Sequence, residues 1–327
     1  MGATPTATSH GPGATPLEPV RADVVLLCCA VLSGSAAGPL GASVVVASGL
    51  TITLWRLVAG TIFGLPLGIA RARRDIPRAG RRPVWGSIGA GVLLAAHFVS
   101  FMTSLQLTSV ASATALINSQ IVWAAVITRL LGNHVSRRVW WGVGLAVLGV
   151  GAITGVDFAL SPAAIGGDLL ALAGGVLGGG FIVTGGKVRR HLSSPTYTML
   201  CYSTGVVVML PVCLLTGQQL VGLPRHDWVA LGGLILFAQL IGQNLFSQVL
   251  RSIPPTLVSL GMLFTAPLSA GLAWIFLGQV PPVSAAAGLI VLIVGAGLVI
   301  SGSIRGPATS TAGQSADRAG QAAEPTT

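Results

Sequence analysis

Charge is what this chain has least of. Only 8% of its 327 residues are charged, against about 25% in a soluble domain. A chain so short of charge has no means of covering a folded surface against water. Acids are the scarcest, with eight Asp and Glu in all. Glu18, Asp317 and Glu324 lie near the two ends, and Asp23, Asp75, Asp157, Asp168 and Asp227 are scattered between them. No two are spaced along a helix to share a metal or to work as an acid and base pair, which argues against an enzyme of either kind. The four cysteines, Cys28, Cys29, Cys201 and Cys213, sit in apolar runs without ligand spacing and read as small apolar residues. No metal and no cofactor is expected. Gly185-Gly186-Lys187 is not a phosphate loop: no strand precedes it, the earlier glycine is missing at the required spacing, and Val188 stands where Ser or Thr would bind magnesium. A nucleotide-driven pump is thereby excluded for this chain.

What the chain does have is apolar length. Hydrophobic residues make up 52% of it, and 45 glycines sit among them, as membrane helices tolerate. A bilayer core of ~30 Å takes about 20 apolar residues to cross. Ten such spans can be laid down, at 23–42, 49–70, 84–105, 110–130, 138–157, 167–187, 196–216, 228–249, 256–277 and 282–303. Turn and helix-stop residues mark the breaks: Pro77 and Pro83, Ser161-Pro162, Ser194-Pro195, Pro224, Pro254-Pro255 and Pro281-Pro282. Residues 1–22 and 304–327 are rich in Thr, Ser, Pro, Gly and Ala and read as disordered tails. The first span is long for a signal-peptide core and follows a polar tail, so it reads as a retained helix.

The basic residues sort by side. With the N-terminus in the cytoplasm, sixteen of the eighteen Lys and Arg fall in inner segments; Arg225 lies in an outer loop and Arg56 within a span. That is the positive-inside pattern, and it places both termini in the cytoplasm and the protein in the cell membrane. The net charge of +10 is therefore a topology signal, and nucleic acid is not the expected partner.

The chain also repeats itself. Residues 105–153 and 250–300 share an order: a polar break, an apolar span, a Leu-Gly-polar break, then a span rich in Gly, Ala and Val. Aligning Gln106 with Arg251 gives an offset of 145 residues, which makes 23–157 and 167–303 two copies of one unit. Five spans per copy is an odd number, so the copies must insert in opposite orientations. Inverted repeats with a site near the midplane are the usual build of secondary transporters.

These residues resemble a known family. Leu105-Gln106-Leu107-Thr108-Ser109-Val110-Ala111-Ser112-Ala113 looks like the start of the fourth helix of the EamA family, in the drug/metabolite transporter superfamily, and Leu250-Arg251-Ser252-Ile253-Pro254-Pro255-Thr256-Leu257-Val258 looks like that of the ninth. Leu54-Trp55-Arg56-Leu57 resembles its Arg-Phe-type motif, and Pro267 through Leu277-Gly278 resembles its proline-bearing ninth helix. The resemblance implies an all-α polytopic fold of ten transmembrane helices as two inverted five-helix EamA repeats. It further implies a central cavity and transport of small organic metabolites, often by export of amino acids or related compounds. Three departures stand out: Gln120-Ile121-Val122 where a proline is usual, and Asn133 and Gln279 where the family's Leu-Gly-Glu motif has its acids. A mechanism that protonates those acids does not carry over.

Polar groups inside spans are costly and mark function by default. Arg56 is the only arginine clearly within a span, away from its ends, as a cavity or gating residue or as one that snorkels to the outer surface. His97, with Ser100, Phe101 and Ser104, forms one helical face; it either meets substrate or protons or is a neutral ring bonded to a neighbouring backbone. Gln239, Gln243 and Asn244 in span eight, and Asn118 and Gln120 in span four, are read as cavity lining, with interhelical hydrogen bonding as the alternative. Trp123 and Trp274 are deep enough to be cavity walls or core. Gly174-Gly175 and Gly178-Gly179-Gly180 have the spacing for close helix contact.

The expected function is a secondary transporter or facilitator of small metabolites by alternating access, with export of neutral or zwitterionic compounds favoured because a cation would need a buried acid. The partners are then a small-molecule substrate and the lipid bilayer, with protons a coupling ion only through His97. A flippase for lipids or hydrophobic drugs on the same fold is the alternative, and an integral membrane enzyme acting on lipid-linked substrates is a further one that the scattered acids disfavour.

Overall fold

The computed structural model describes residues 17–158, 161–249, 255–280 and 283–304, and among these there is no strand. The helices are α1 Leu17–Ser35, α2 Ala37–Ala42, α3 Gly49–Ala79, α4 Arg81–Ser104, α5 Val110–Asn118, α6 Gln120–Leu130, α7 Arg137–Phe158, α8 Pro162–Val188, α9 Ser194–Leu215 and α10 Arg225–Gly233. A π-helical segment, Leu234–Ile241, leads into α11 Gly242–Val249; α12 Pro255–Leu263, α13 Thr265–Leu277 and α14 Val283–Ile304 follow. Eight helical stretches among the described residues are long and apolar enough to cross a membrane. Of the ten expected spans, those in α7 and α14 do not reach that measure over their described residues.

Boundaries differ from expectation where local chemistry allows more helix. The tail expected to 22 is helical from Leu17; the rest of the two expected tails lies outside the described residues, apart from Ile304, as do Leu250–Pro254 and Pro281-Pro282. The expected loop 71–83 is almost entirely helical, with Pro77 inside α3 and a single residue, Gly80, making the turn at φ 76°. Arg and Ala favour helix, and only the backbone freedom of glycine is needed to reverse the chain.

Helix ends follow the sequence more closely. Ser48, Ser109 and Ser161 cap α3, α5 and α8, accepting from Thr51, Ser112 and Ala164 N–H groups. The Leu-Gly break closes α13 with Gly278 left-handed at φ 66° and the Gln279 N–H returning to the Ala273 carbonyl, a C-terminal cap that needs the glycine.

Packing relates the halves. Helices α7 and α14 pair along their length in opposite directions, because Val139 meets Gly302, Gly142 meets Gly295 and Gly149 meets Leu292. Helices α3 and α9 pair likewise, through Leu57 with Gly205 and Gly68 with Met199. In the first half α4 runs antiparallel to α8 while α5 and α6 run parallel to it (Gly174 with Ser100 and Ile117; Gly178 with His97 and Gln120). In the second, α11 runs antiparallel to α1 while α12 and α13 run parallel to it (Gly34 with Phe246 and Thr265; Gly261 with Leu27). These three neighbours of α8 thus have their repeat-related neighbours beside α1.

Polar clamps fix the ends of the bundle. The Asp227 carboxylate, itself buried, accepts from the Val45, Val46 and Ala47 N–H groups at 3.3, 2.8 and 2.9 Å. At the same end Ser48 donates to Gln218 Oε1, Trp55 Nε1 to the Leu220 carbonyl at 2.9 Å, and Gln106 bridges the Ala47 carbonyl and the Gly49 N–H. At the opposite end Asp75 accepts from the hydroxyls of Ser193 and Thr196, residues 145 positions after Ser48 and Thr51.

Candidate functional site

Four helical stretches break in mid-course, and each break has a local cause. Pro39 has no N–H for the Ser35 carbonyl, and the chain breaks between them at Ala36. Pro267 leaves the Leu263 carbonyl in the same position, and the break falls at Phe264. Its repeat-related break, at Ser119, needs no proline: the Ser119 hydroxyl donates to the Leu116 carbonyl at 2.6 Å and competes with the helical bond. In the π segment the Phe237 carbonyl takes the Gly242 N–H five residues on and also the Ser33 hydroxyl, at 2.6 Å.

The breaks meet. Asn118, last residue of α5, donates through Nδ2 to Thr265 Oγ1, first residue of α13, at 3.1 Å. Gly34 lies against both Phe246 and Thr265, and a methyl group on Gly242 would stand 3.3 Å from the Gly34 nitrogen. Gly38 abuts Ser269 and Thr114, and the buried Ser269 hydroxyl has no hydrogen-bond partner among the described residues. Discontinuous helices placed side by side expose backbone groups to one another and to anything bound between them.

Beside this junction lies a row of polar and aromatic groups. Arg56 is 5% exposed, so it does not snorkel. Its Nε donates to Gln239 Oε1 at 3.3 Å, while Gln239 Nε2 donates to the Arg56 carbonyl. The guanidinium stands 4.0 Å over the Phe98 ring, a cation–π contact that partly offsets its desolvation, and Nη1 has no hydrogen-bond partner among the described residues. His97, next on α4, has its ring 5.6 Å from that of Phe98. Its Nδ1 lies 2.8 Å from the Gly174 carbonyl; a carbonyl only accepts, so Nδ1 carries the proton. Gly178 lets Gln120 and His97 converge, since a methyl there would stand 2.5 Å from Gln120 Oε1 and 2.8 Å from His97 Nδ1.

The other expected site residues separate. Trp123 is half-buried against Gly179. Phe101 is buried in a core cluster with Ile52, Met102 and Val110, as packing. Trp274 is 58% exposed and is not a wall of this centre. Helix α13 packs through the small residues Ala266, Ser269, Ala270 and Ala273, which leaves Trp274 one step off the packing face. Gln243 and Asn244 are exposed, and Asn244 donates to the Leu240 carbonyl. Their repeat-related positions in α4 are enclosed: every residue of 95–104 is buried or half-buried, as all of Val110–Ile117 in α5 is buried.

Sequence reasoning missed Ser33, Phe98, Thr265 and Ser269. Pro39 and Pro267 were the available signals for two of the breaks. Gln279, where an acid is expected by resemblance, serves the fold directly, because its Oε1 accepts from the Val110 N–H at the start of α5, at 3.1 Å.

Comparison with known proteins bears on all of this. The family model described as the EamA-like transporter family matches residues 22–155 and again 165–301. The pseudopaline exporter CntI of Pseudomonas aeruginosa, in strains UCBPP-PA14 and PAO1, is 24% identical over 253 residues, covering 74% of this chain and 83% of the exporter. A solved crystal structure aligns over 85% of this chain and 97% of its own with a TM-score of 0.59 and 17% identity, a likeness of fold alone.

Proposed function

The chain belongs to the EamA-like transporter family, and from that premise we propose that it is a secondary transporter or facilitator of small organic metabolites. It works by alternating access at the midplane junction between two inverted five-helix repeats, and it exports neutral or zwitterionic compounds. The observation that carries this reading is the Asn118–Thr265 bond. It ties together two helix breaks that lie at repeat-related positions, where an inverted duplication puts its shared site.

Unequal burial supports a direction of opening. If the Ser48 end faces outward, the outer halves of α4 and α5 are enclosed, while α11 presents Gln243, Asn244 and Gln248. Amides at membrane depth require water or protein around them. They line a cleft open to the cytoplasm, and substrate enters there. The Asp227 and Gln106 clamps hold the outer side closed. Substrate contacts come from Asn118, Gln120, Thr265, Gln243 and Asn244. Arg56, engaged by Gln239 and Phe98, and His97, engaged by Gly174, shape the wall. With His97 donating to a backbone carbonyl, facilitated diffusion is favoured over proton coupling through that ring.

The test is efflux from cells or proteoliposomes across a panel of amino acids and other small metabolites. The wild-type chain should move at least one neutral or zwitterionic compound. Asn118→Leu should insert normally and melt within about 2 °C of wild type, as loss of one neutral hydrogen bond implies, yet lose roughly tenfold in rate, the equivalent of about 1.4 kcal/mol for a lost polar contact to substrate. Wild-type rates in Asn118→Leu would overturn the placement of the site. Transport confined to cations would overturn the substrate class.

A further inference from the structure

We propose that the α3–α4 hairpin binds the headgroup of an anionic phospholipid, with an acyl chain laid in the apolar groove beside it. Helix α3 has 31 residues, about 46 Å at 1.5 Å per residue, and a bilayer core is about 30 Å. Its last turns therefore stand at headgroup level. There Arg71, Arg73, Arg74, Arg78, Arg81 and Arg82 are all exposed. Among the described residues none of them is in a salt bridge. The one acid in this stretch, Asp75, is turned to the Ser193 and Thr196 hydroxyls. Six arginines against one acid, Asp75, which also feels the charge of Arg71, leave the hairpin a concentration of cations with a single protein counter-charge.

Two grooves flank the same turn of α3. The larger, about 380 Å³, lies inside the hairpin and is lined by Ile76, Gly80, Arg81, Val84, Trp85 and Ile88. The smaller, about 320 Å³, lies on the other side of Ile76, between Arg73, Pro77 and Met199. Each is an apolar trough with an arginine among its lining residues, which matches the chemistry of a lipid chain under a phosphate. Trp85, 68% exposed, is an amphipathic ring of the kind that settles at the membrane interface. General attraction to a negative leaflet would need only the charge. The troughs are what make particular lipids stay.

The experiment is native mass spectrometry of the purified full chain with phosphatidylglycerol or phosphatidylcholine of matched acyl chains, paired with brominated-chain quenching of Trp85 fluorescence, read as wild type minus W85F. Phosphatidylglycerol should be retained preferentially, and R73Q/R81Q should cut that preference by roughly tenfold or more, since each arginine near the surface is worth about fivefold. The lysine pair R73K/R81K should keep most of it. Equal retention of the two lipids by the wild type would overturn the proposal. So would retention of glycerol 3-phosphate as tight as that of the lipid, which would make the occupant a soluble phosphate. If R73Q/R81Q does not fold, the quenching decides: brominated phosphatidylglycerol must quench Trp85 more than brominated phosphatidylcholine at equal mole fraction, and equal quenching refutes the site.

Discussion

Alanine substitutions along α7 should change stability with opposite signs within one helix turn. A methyl group on Gly142 would stand 2.5 Å from the Gly295 carbonyl oxygen, and one on Gly149 would stand 2.6 Å from the Leu292 nitrogen. Ordinary contact begins at 3.4 Å, so each falls short by about 0.8–0.9 Å against backbone, which has no rotamer to move. The helices must part, and overpacking of this kind costs about 1–3 kcal/mol. Gly144 and Gly151, on the same helix, have nothing within 4 Å of the added methyl. There alanine should gain about 0.5–1 kcal/mol from its better helix propensity. At roughly 2 °C per kcal/mol, Gly142→Ala and Gly149→Ala should melt about 2–6 °C below wild type in detergent, and Gly144→Ala and Gly151→Ala at or slightly above it. The double variant Gly142→Ala/Gly295→Ala should be worse than either single. Equal melting of all four single variants would refute the close antiparallel pairing of α7 with α14.

Gln239→Leu should destabilise by about 1.5–3 kcal/mol, the worth of a bond to a charged group, because it strands the Arg56 guanidinium. Arg56→Met, which removes the charge with the bond, should be close to neutral in a thermal melt. Asp227→Ala should speed amide exchange at Val45, Val46 and Ala47 by about 100-fold, as loss of about 3 kcal/mol of bonding to a carboxylate implies; unchanged exchange would contradict the clamp. Gln279→Leu should cost about 1 kcal/mol in the melt. Gln279→Glu should cost nothing, since a carboxylate at a helix start keeps the bond and meets the dipole favourably.

Gln279 carries different meanings in one dimension and in three. From the sequence, an amide in place of a family acid signals a changed mechanism. In the fold the same side chain caps a helix from a different repeat, a role an amide fills as well. The two glutamines of span eight that looked equivalent also part company. Gln239 is buried against Arg56, and Gln243 is exposed one turn later, because the helix changes to π geometry between Leu234 and Ile241.

Composition and order by themselves determined the membrane class and the doubling, while the transporter family entered only through the resemblance of short motifs. Scarce charge, apolar runs and the 145-residue offset are one-dimensional quantities, and physics acts on them residue by residue. The Leu-Gly stops and the Ser-Pro breaks were also legible, because a helix end is a local event. Tertiary structure alone decided which polar residues meet. Asn118 and Thr265 are 147 positions apart and Arg56 and Gln239 are 183 apart, brought together by helices packed across the repeat boundary. It also decided that Trp274 faces away, since the packing face of α13 is set by its small residues and by the helix opposite. Contacts of that range depend on how two halves fit, and no pattern within either half carries them.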